Sequence, residues 1–327
     1  MTSAICLGAY GLLVAVGAPR LLRRSALAER APRLGVALWL GAALSVLLAW
    51  LAAAAMAGVH ALVASGAWEP VARDCLAGGH AAACLGAIPA SWHAGSVGVL
   101  WAAVAAAGFG VFGYLSVSVG RAMHQVRRAR GKHVAAVRVV GRPAPALGED
   151  TIVLDTGDRA AYCVAGRRDT VVVTTGALES LSQAELAAVL AHERAHLTGR
   201  HHLLLSLMKA LGRTFSWLPL FPAAEREVAR LCEMRADDAA ARSHGEATLV
   251  GALLAMSEGK QGRHPSVALG ASGYDVLARA NRLLAPCGTG PESRRGALRR
   301  RMVAVACMVA VAGTTVTVGA CTVLPLA

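Results

Sequence analysis

The stretch Ala191-His192-Glu193-Arg194-Ala195-His196-Leu197 decides how the rest of the chain is read. Two histidines four residues apart stack on one face of a helix, so both imidazoles reach a single ion. A zinc ion held this way keeps an open position for water and lowers that water's pKa to about 7. Glu193 follows the first histidine and is placed to take a proton from the water rather than to bind the ion. The chemistry implied is hydrolysis.

The flanks put this motif on a helix. Ser182-Gln183-Ala184-Glu185 forms a capping box, and Leu186, Val189, Leu190 and Leu197 follow at helical spacing. Gly199 offers a stop. The competing reading, two core histidines on a solvated helix, is the weaker one in this setting.

A third protein ligand is needed, and Leu231-Cys232-Glu233-Met234-Arg235-Ala236-Asp237-Asp238 offers two acids four apart. Pro222 suits the first turn of a helix running to about Ser243. On it Glu233 and Asp237 share a face. Glu233 would ligate, and Asp237 would orient a ligand histidine through its free ring nitrogen. Alternatively Glu225, Glu227, Glu233, Asp237 and Asp238 form a charged face that pairs with neighbouring arginines. Spacing alone does not choose between the two.

The chain as a whole declares a lipid solvent. It is 55% hydrophobic and only 16% charged, with a mean hydropathy of +0.50, too apolar for an ordinary soluble domain. Four stretches approach or reach bilayer length, at about 3–20, 34–58, 96–120 and 302–324. The first lacks a basic start and a small-residue cleavage site, so it reads as an anchor rather than a signal peptide. The last is rich in Val and Thr, which a buried strand pair also explains, but its length favours a span.

Arginines orient these spans. Arg20, Arg23, Arg24, Arg30 and Arg33 fill the first loop; Arg121, Arg127, Arg128, Arg130 and Lys132 follow the third span; Arg294, Arg295, Arg299, Arg300 and Arg301 precede the fourth. Basic loops stay cytoplasmic. The solution is an outside N-terminus, four spans, an outside C-terminus and a cytoplasmic domain over 121–301. These clusters also explain the net charge of +13. They sit where anionic lipid attracts them, and no nucleic-acid recognition motif accompanies them, so direct nucleic-acid binding is not expected.

Of eight cysteines, Cys6, Cys307 and Cys321 lie in or near spans, and Cys163, Cys232 and Cys287 are expected to stay reduced. Cys75 and Cys84 share the outside loop, where a disulfide is feasible and left open. No Cys-x-x-Cys pair exists, so a cysteine zinc site is not indicated.

The cytoplasmic block opens with a basic linker. Short β-rich runs follow around Val134–Val140, Ile152–Leu154 and Ala161–Val164, and Thr170–Thr175 is the strongest strand. An exposed strand edge beside the motif could pair with an extended peptide, or the sheet could be structural only. After Gly199, residues 201–211 read as an apolar helix, and Ser216-Trp217-Leu218-Pro219-Leu220-Phe221-Pro222 adds an aromatic tip. That tip could lie on the membrane or pack in the core. His201 and His202 fall outside the two-histidine face and are left off the metal. Arg235, Arg242 and His244 are weak candidates for stabilising an oxyanion.

The run from Val172 to Ala177-Leu178, then Leu181-Ser182-Gln183-Ala184-Glu185-Leu186 through His192-Glu193-Arg194-Ala195-His196, resembles membrane zinc peptidases. The nearer group is the BlaR/MecR-type antirepressor peptidases, through Trp217-Leu218-x-Leu-Phe and Glu233-x-x-Ala236-Asp237-Asp238; HtpX-type quality-control proteases are similar. The resemblance implies a mostly α membrane protein. Its four transmembrane helices would carry an α+β zincin-like (gluzincin) metallopeptidase domain inserted between the third and fourth. It implies one catalytic Zn2+ on His192, His196 and Glu233, with Glu193 as the catalytic base and Asp237 behind a ligand histidine. It also implies a cytoplasmic substrate, a winged-helix repressor of the BlaI/MecI type. There are departures. The antibiotic receptors of that group carry a large sensor domain after the fourth span, whereas this sequence stops within a few residues of it. His201 matches the HtpX-type pattern better.

Three functions therefore stand: a regulatory zinc endopeptidase, a membrane-protein quality-control protease, and a non-hydrolytic membrane receptor with a structural zinc site. The presence of Glu193 argues against the last, because a structural site has no need of a general base.

Overall fold

Three long apolar helices lead into the domain that carries the motif: α1 (Thr2–Arg24), α2 (Pro32–Ala64) and α3 (Ser96–Val140). The computed structural model describes residues 2–24, 31–64, 96–166, 169–257 and 273–285. Among these residues, three helices are long and apolar enough to cross a membrane. The fourth expected span, the loop with Cys75 and Cys84, and Cys287, Cys307 and Cys321 lie outside the described residues. Small residues let the spans approach closely. A methyl group added at Gly108 would fall within 2.3 Å of Ala54 Cβ, and one at Gly11 within 2.4 Å of the Trp50 ring.

The first correction concerns α3. The β-branched run Val134–Val140 is helical rather than a strand, and the basic linker is the same unbroken helix. Extending an existing helix carries no nucleation cost, and tertiary contacts outweigh the β preference of valine. Val137 is buried against Ile152 and Val172. Arg130 donates to His202 O at 3.3 Å and to Ser206 Oγ at 3.2 Å, while Arg138 donates to Thr170 Oγ1 at 3.2 Å.

A four-stranded sheet follows, made of β1 (Arg142–Pro143), β2 (Thr151–Leu154), β3 (Ala161–Val164) and β4 (Thr170–Thr174), in the order β1-β2-β4-β3. β2 and β4 are parallel, and both outer pairings are antiparallel. β4 is central and wholly buried. Its period-2 alternation sends Val171 and Val173 towards Leu186, Val189 and Leu190, and Val172 towards α3. The chain then turns through α4 (Thr175–Ser180) into α5 (Gln183–Thr198), α6 (His201–Thr214), α7 (Leu220–His244), α8 (Glu246–Ser257) and α9 (Gly273–Leu284).

The aromatic tip between α6 and α7 packs as core, against membrane helices. Phe215, Leu218, Leu220 and Phe221 join Trp39, Ala43 and Val46 of α2 in one cluster. Trp217, left 69% exposed, stacks on Trp50 with centroids 6.4 Å apart. The domain and the spans therefore share a hydrophobic core.

Candidate metal centre

α5 starts where its sequence says it should. Ser182 Oγ accepts from the Glu185 backbone N–H at 3.3 Å, and the Ser182 N–H donates to Glu185 Oε2 at 2.9 Å, satisfying two otherwise orphaned donors. The helix ends at Thr198, and the left-handed residue of the following turn is Arg200 (φ 48°) rather than the glycine. Gly199 serves another purpose: a Cβ there would stand 2.5 Å from His201 Nε2.

α7 lies against α5 and delivers Glu233 to the two histidines. His192 Nε2 and His196 Nε2 are 3.2 Å apart. Glu233 Oε2 is 3.5 Å from His192 Nε2, and Oε1 is 3.4 Å from His196 Nε2. These atoms form the cluster among the described residues that could hold a metal ion. Tetrahedral bonds of about 2.0–2.1 Å place neighbouring ligand atoms roughly 3.3–3.4 Å apart. The spacing seen here fits, and so does the donor set of two imidazoles and a carboxylate.

Charge around the cluster is unequal. Burial would lower His192, but the Asp237 and Glu233 carboxylates beside it raise it to about 10. Burial holds His196 down at about 4. Burial would raise Glu233 too, yet the two histidines and Arg279 bring it to about 2. Glu193 moves the other way: burial raises its carboxyl, against the pull of His192.

Asp237 is fully buried, with Oδ1 3.1 Å from His192 Nδ1, an ion-pair separation that falls short of an aligned hydrogen bond. Arginines also pair with four of the five acids on that face. Arg279 on α9 donates to Asp237 through Nε (2.8 Å) and Nη2 (2.5 Å), and its Nη1 is 3.3 Å from Glu233 Oε2. Asp238 pairs with Arg282, and Glu227 with Arg230 and Arg23.

Three neighbours escape sequence reasoning. Arg279 is one; its only trace is a pair of arginines three apart on a short amphipathic helix. His201 is the second. It is buried, with Nδ1 3.0 Å from His196 Nδ1. Cys163 on the edge strand β3 is the third. It stands beside Glu193 and bears on the charge of that carboxylate, a contact that no local pattern announces. By contrast, the weighed oxyanion candidates Arg235, Arg242 and His244 line a separate cavity, one that none of His192, Glu193, His196 and Glu233 lines.

Apolar spans, a sheet with an edge strand beside the cluster, and two histidines with a glutamate on crossed helices define a membrane-anchored metallopeptidase. Residues 123–283 match the model of Peptidase family M48. Among curated proteins, the Protease HtpX homolog of Desulfotalea psychrophila (strain LSv54 / DSM 12343) is 31% identical over 122 residues. The match spans 33% of this chain and 42% of that relative. No solved structure gives a significant match.

Proposed function

We propose that the protein is a membrane-bound, zinc-dependent endopeptidase in which His192, His196 and Glu233 hold the metal and Glu193 is the catalytic base. The observation that carries this is the meeting of those three side chains from two helices, with Glu193 one residue from the first ligand. Bound zinc supplies a Lewis acid and a water acidified to a pKa near 7. Glu193 accepts a proton from the attacking water. It then passes that proton to the leaving amine nitrogen as the peptide C–N bond breaks. Asp237, clamped by Arg279, holds the His192 ring in register. The edge strand β3, which carries Cys163 beside Glu193, suits an extended peptide added as a further strand.

The distribution of arginines supports a cytoplasmic peptidase domain closed by a fourth span at 302–324. For the substrate, the likeness to the HtpX homolog favours proteins of the membrane itself, hence quality control. A winged-helix repressor rests on the Trp217-Leu218-x-Leu-Phe and Glu233-x-x-Ala236-Asp237-Asp238 patterns alone. Proteomic comparison of a deletion strain with wild type separates them: many accumulating membrane proteins support the first, and one uncut repressor supports the second.

Wild type and Glu193→Gln, purified in nanodiscs and compared for casein cleavage and zinc content, test the chemistry. Cleavage is expected to vanish while zinc stays, whereas Glu233→Ala loses both. Equal cleavage by wild type and Glu193→Gln removes Glu193 from the mechanism.

A further inference from the structure

On the face of α5 turned away from His192 and His196, Leu186, Ala187, Leu190, Ala191 and Ala195 form an apolar stripe at helical spacing. Together with α7, the turn at Ala146–Leu147 and the start of α2, this stripe bounds a cavity of about 990 Å³. Its floor is apolar and its rim is basic: Arg33, Arg194, Arg235, Arg242 and His244 all line it. Among the described residues the carboxylate that lines it, Asp238, is already paired with Arg282. Arg194 is partly engaged, with Leu147 O, Asp150 and Thr151. Arg33, Arg235 and Arg242 have no hydrogen-bond or ion-pair partner among the described residues. Guanidinium groups lining one cavity with an apolar floor suit an anionic amphiphile.

Position narrows the ligand. Arg33 stands in the first turn of the apolar helix α2, and Arg20 and Arg23 close the neighbouring span α1. Basic residues at the ends of two adjacent spans mark the headgroup layer on the domain's side of the membrane. The cavity therefore opens where phospholipid phosphates lie, and its floor can take the first carbons of an acyl chain.

We propose that this cavity binds the headgroup of an anionic phospholipid, with Arg235 and Arg242 from α7 and Arg33 from α2 around the phosphate. The lipid would lie against the back of the helix that carries His192 and His196, joining the spans to the domain. This reading rests on α1 and α2 as membrane spans, not on the metal chemistry. It survives even if Glu193 proves dispensable.

The test uses the full chain in nanodiscs of phosphatidylcholine with or without phosphatidylglycerol, with lipid retention measured by native mass spectrometry. Wild type is expected to retain phosphatidylglycerol selectively. Each guanidinium–phosphate contact inside the cavity contributes at least roughly a fivefold effect, so Arg235→Gln with Arg242→Gln is expected to reduce retention about thirtyfold. Arg127→Gln with Arg128→Gln, on the exposed extension of α3, removes the same charge and should leave retention unchanged. Arg242 is exposed, so Arg242→Gln alone provides a variant whose fold is safe, with about a fivefold loss. Equal loss in both double variants reduces the effect to general surface attraction and overturns the site. If sn-glycerol 3-phosphate in phosphatidylcholine discs binds as tightly as the lipid, the ligand is a free phosphate and the lipid assignment fails. Displacement of the lipid by a short acidic peptide at lower concentration than glycerol phosphate would assign the cavity to protein substrates instead.

Discussion

His201 Nδ1 lies 3.0 Å from His196 Nδ1, although the two rings belong to different helices. His196 turns Nε2 towards His192 and Glu233, which leaves Nδ1 as its remaining polar atom. Burial, with the neighbouring His196 and Arg235, lowers His201 to about 4, so near neutrality it is an uncharged ring able to accept the His196 N–H. Losing such a partner costs about 10–100-fold in metal affinity. His201→Ala is therefore expected to weaken zinc binding by that factor in a chelator competition, with His201→Asn recovering part of it. Unchanged affinity in His201→Ala would show the contact to be packing alone.

Gly199 matters through space rather than backbone freedom, since its φ of −74° is ordinary. A methyl group there meets His201 Nε2 at 2.5 Å and Cδ2 at 2.7 Å. Gly199→Ala must push the buried ring aside, at an overpacking cost of about 1–3 kcal/mol. The expected result is a lower Tm together with the reduced zinc affinity of His201→Ala. Adding His201→Ala to Gly199→Ala should restore the Tm and not the affinity.

The Arg279–Asp237 pair is buried on both sides, with Arg279 7% and Asp237 0% exposed. Removing one partner of such a pair leaves an uncompensated charge and costs about 3–5 kcal/mol. Arg279→Met should accordingly lower the Tm sharply, and the double variant with Asp237→Asn should regain most of the loss. If the two single changes simply add, the pair is not coupled as described.

Asp237 also sets an acid limit. Burial pushes its carboxyl up, but His192 and Arg279 pull it down to about 2, below its ordinary 3.8. A carboxylate depressed on folding stabilises the protein above its unfolded pKa and loses that contribution as pH falls through the folded value. Metal-free protein should thus lose stability between about pH 4 and pH 2. Denaturant midpoints for wild type and Asp237→Asn are expected to converge across that window. Parallel curves would place the acid sensitivity elsewhere.

The features legible in sequence are those written in short-range periodicity. The four-residue spacing of His192 and His196, the Ser182–Glu185 cap, the i, i+4 acids Glu233 and Asp237, the buried β4 and the apolar spans all depend on neighbours within a few turns or strand steps. Their physics is local, so it can be read along the chain. The run Val134–Val140 misled for the same reason. Valine's strand preference is weak, and contacts with β2, α6 and Thr170, invisible in that window, keep the residues helical.

The sequence by itself determined a helix with two histidines on one face, an acidic helix to meet it and long apolar spans. Only the tertiary structure decided which groups stand behind the ligands. Arg279 meets Asp237 across 42 residues, His201 folds back on His196 through a turn, and Cys163 reaches Glu193 from a sheet edge. Such meetings depend on how helices cross and where strands end, and no periodic signal along the chain encodes that geometry.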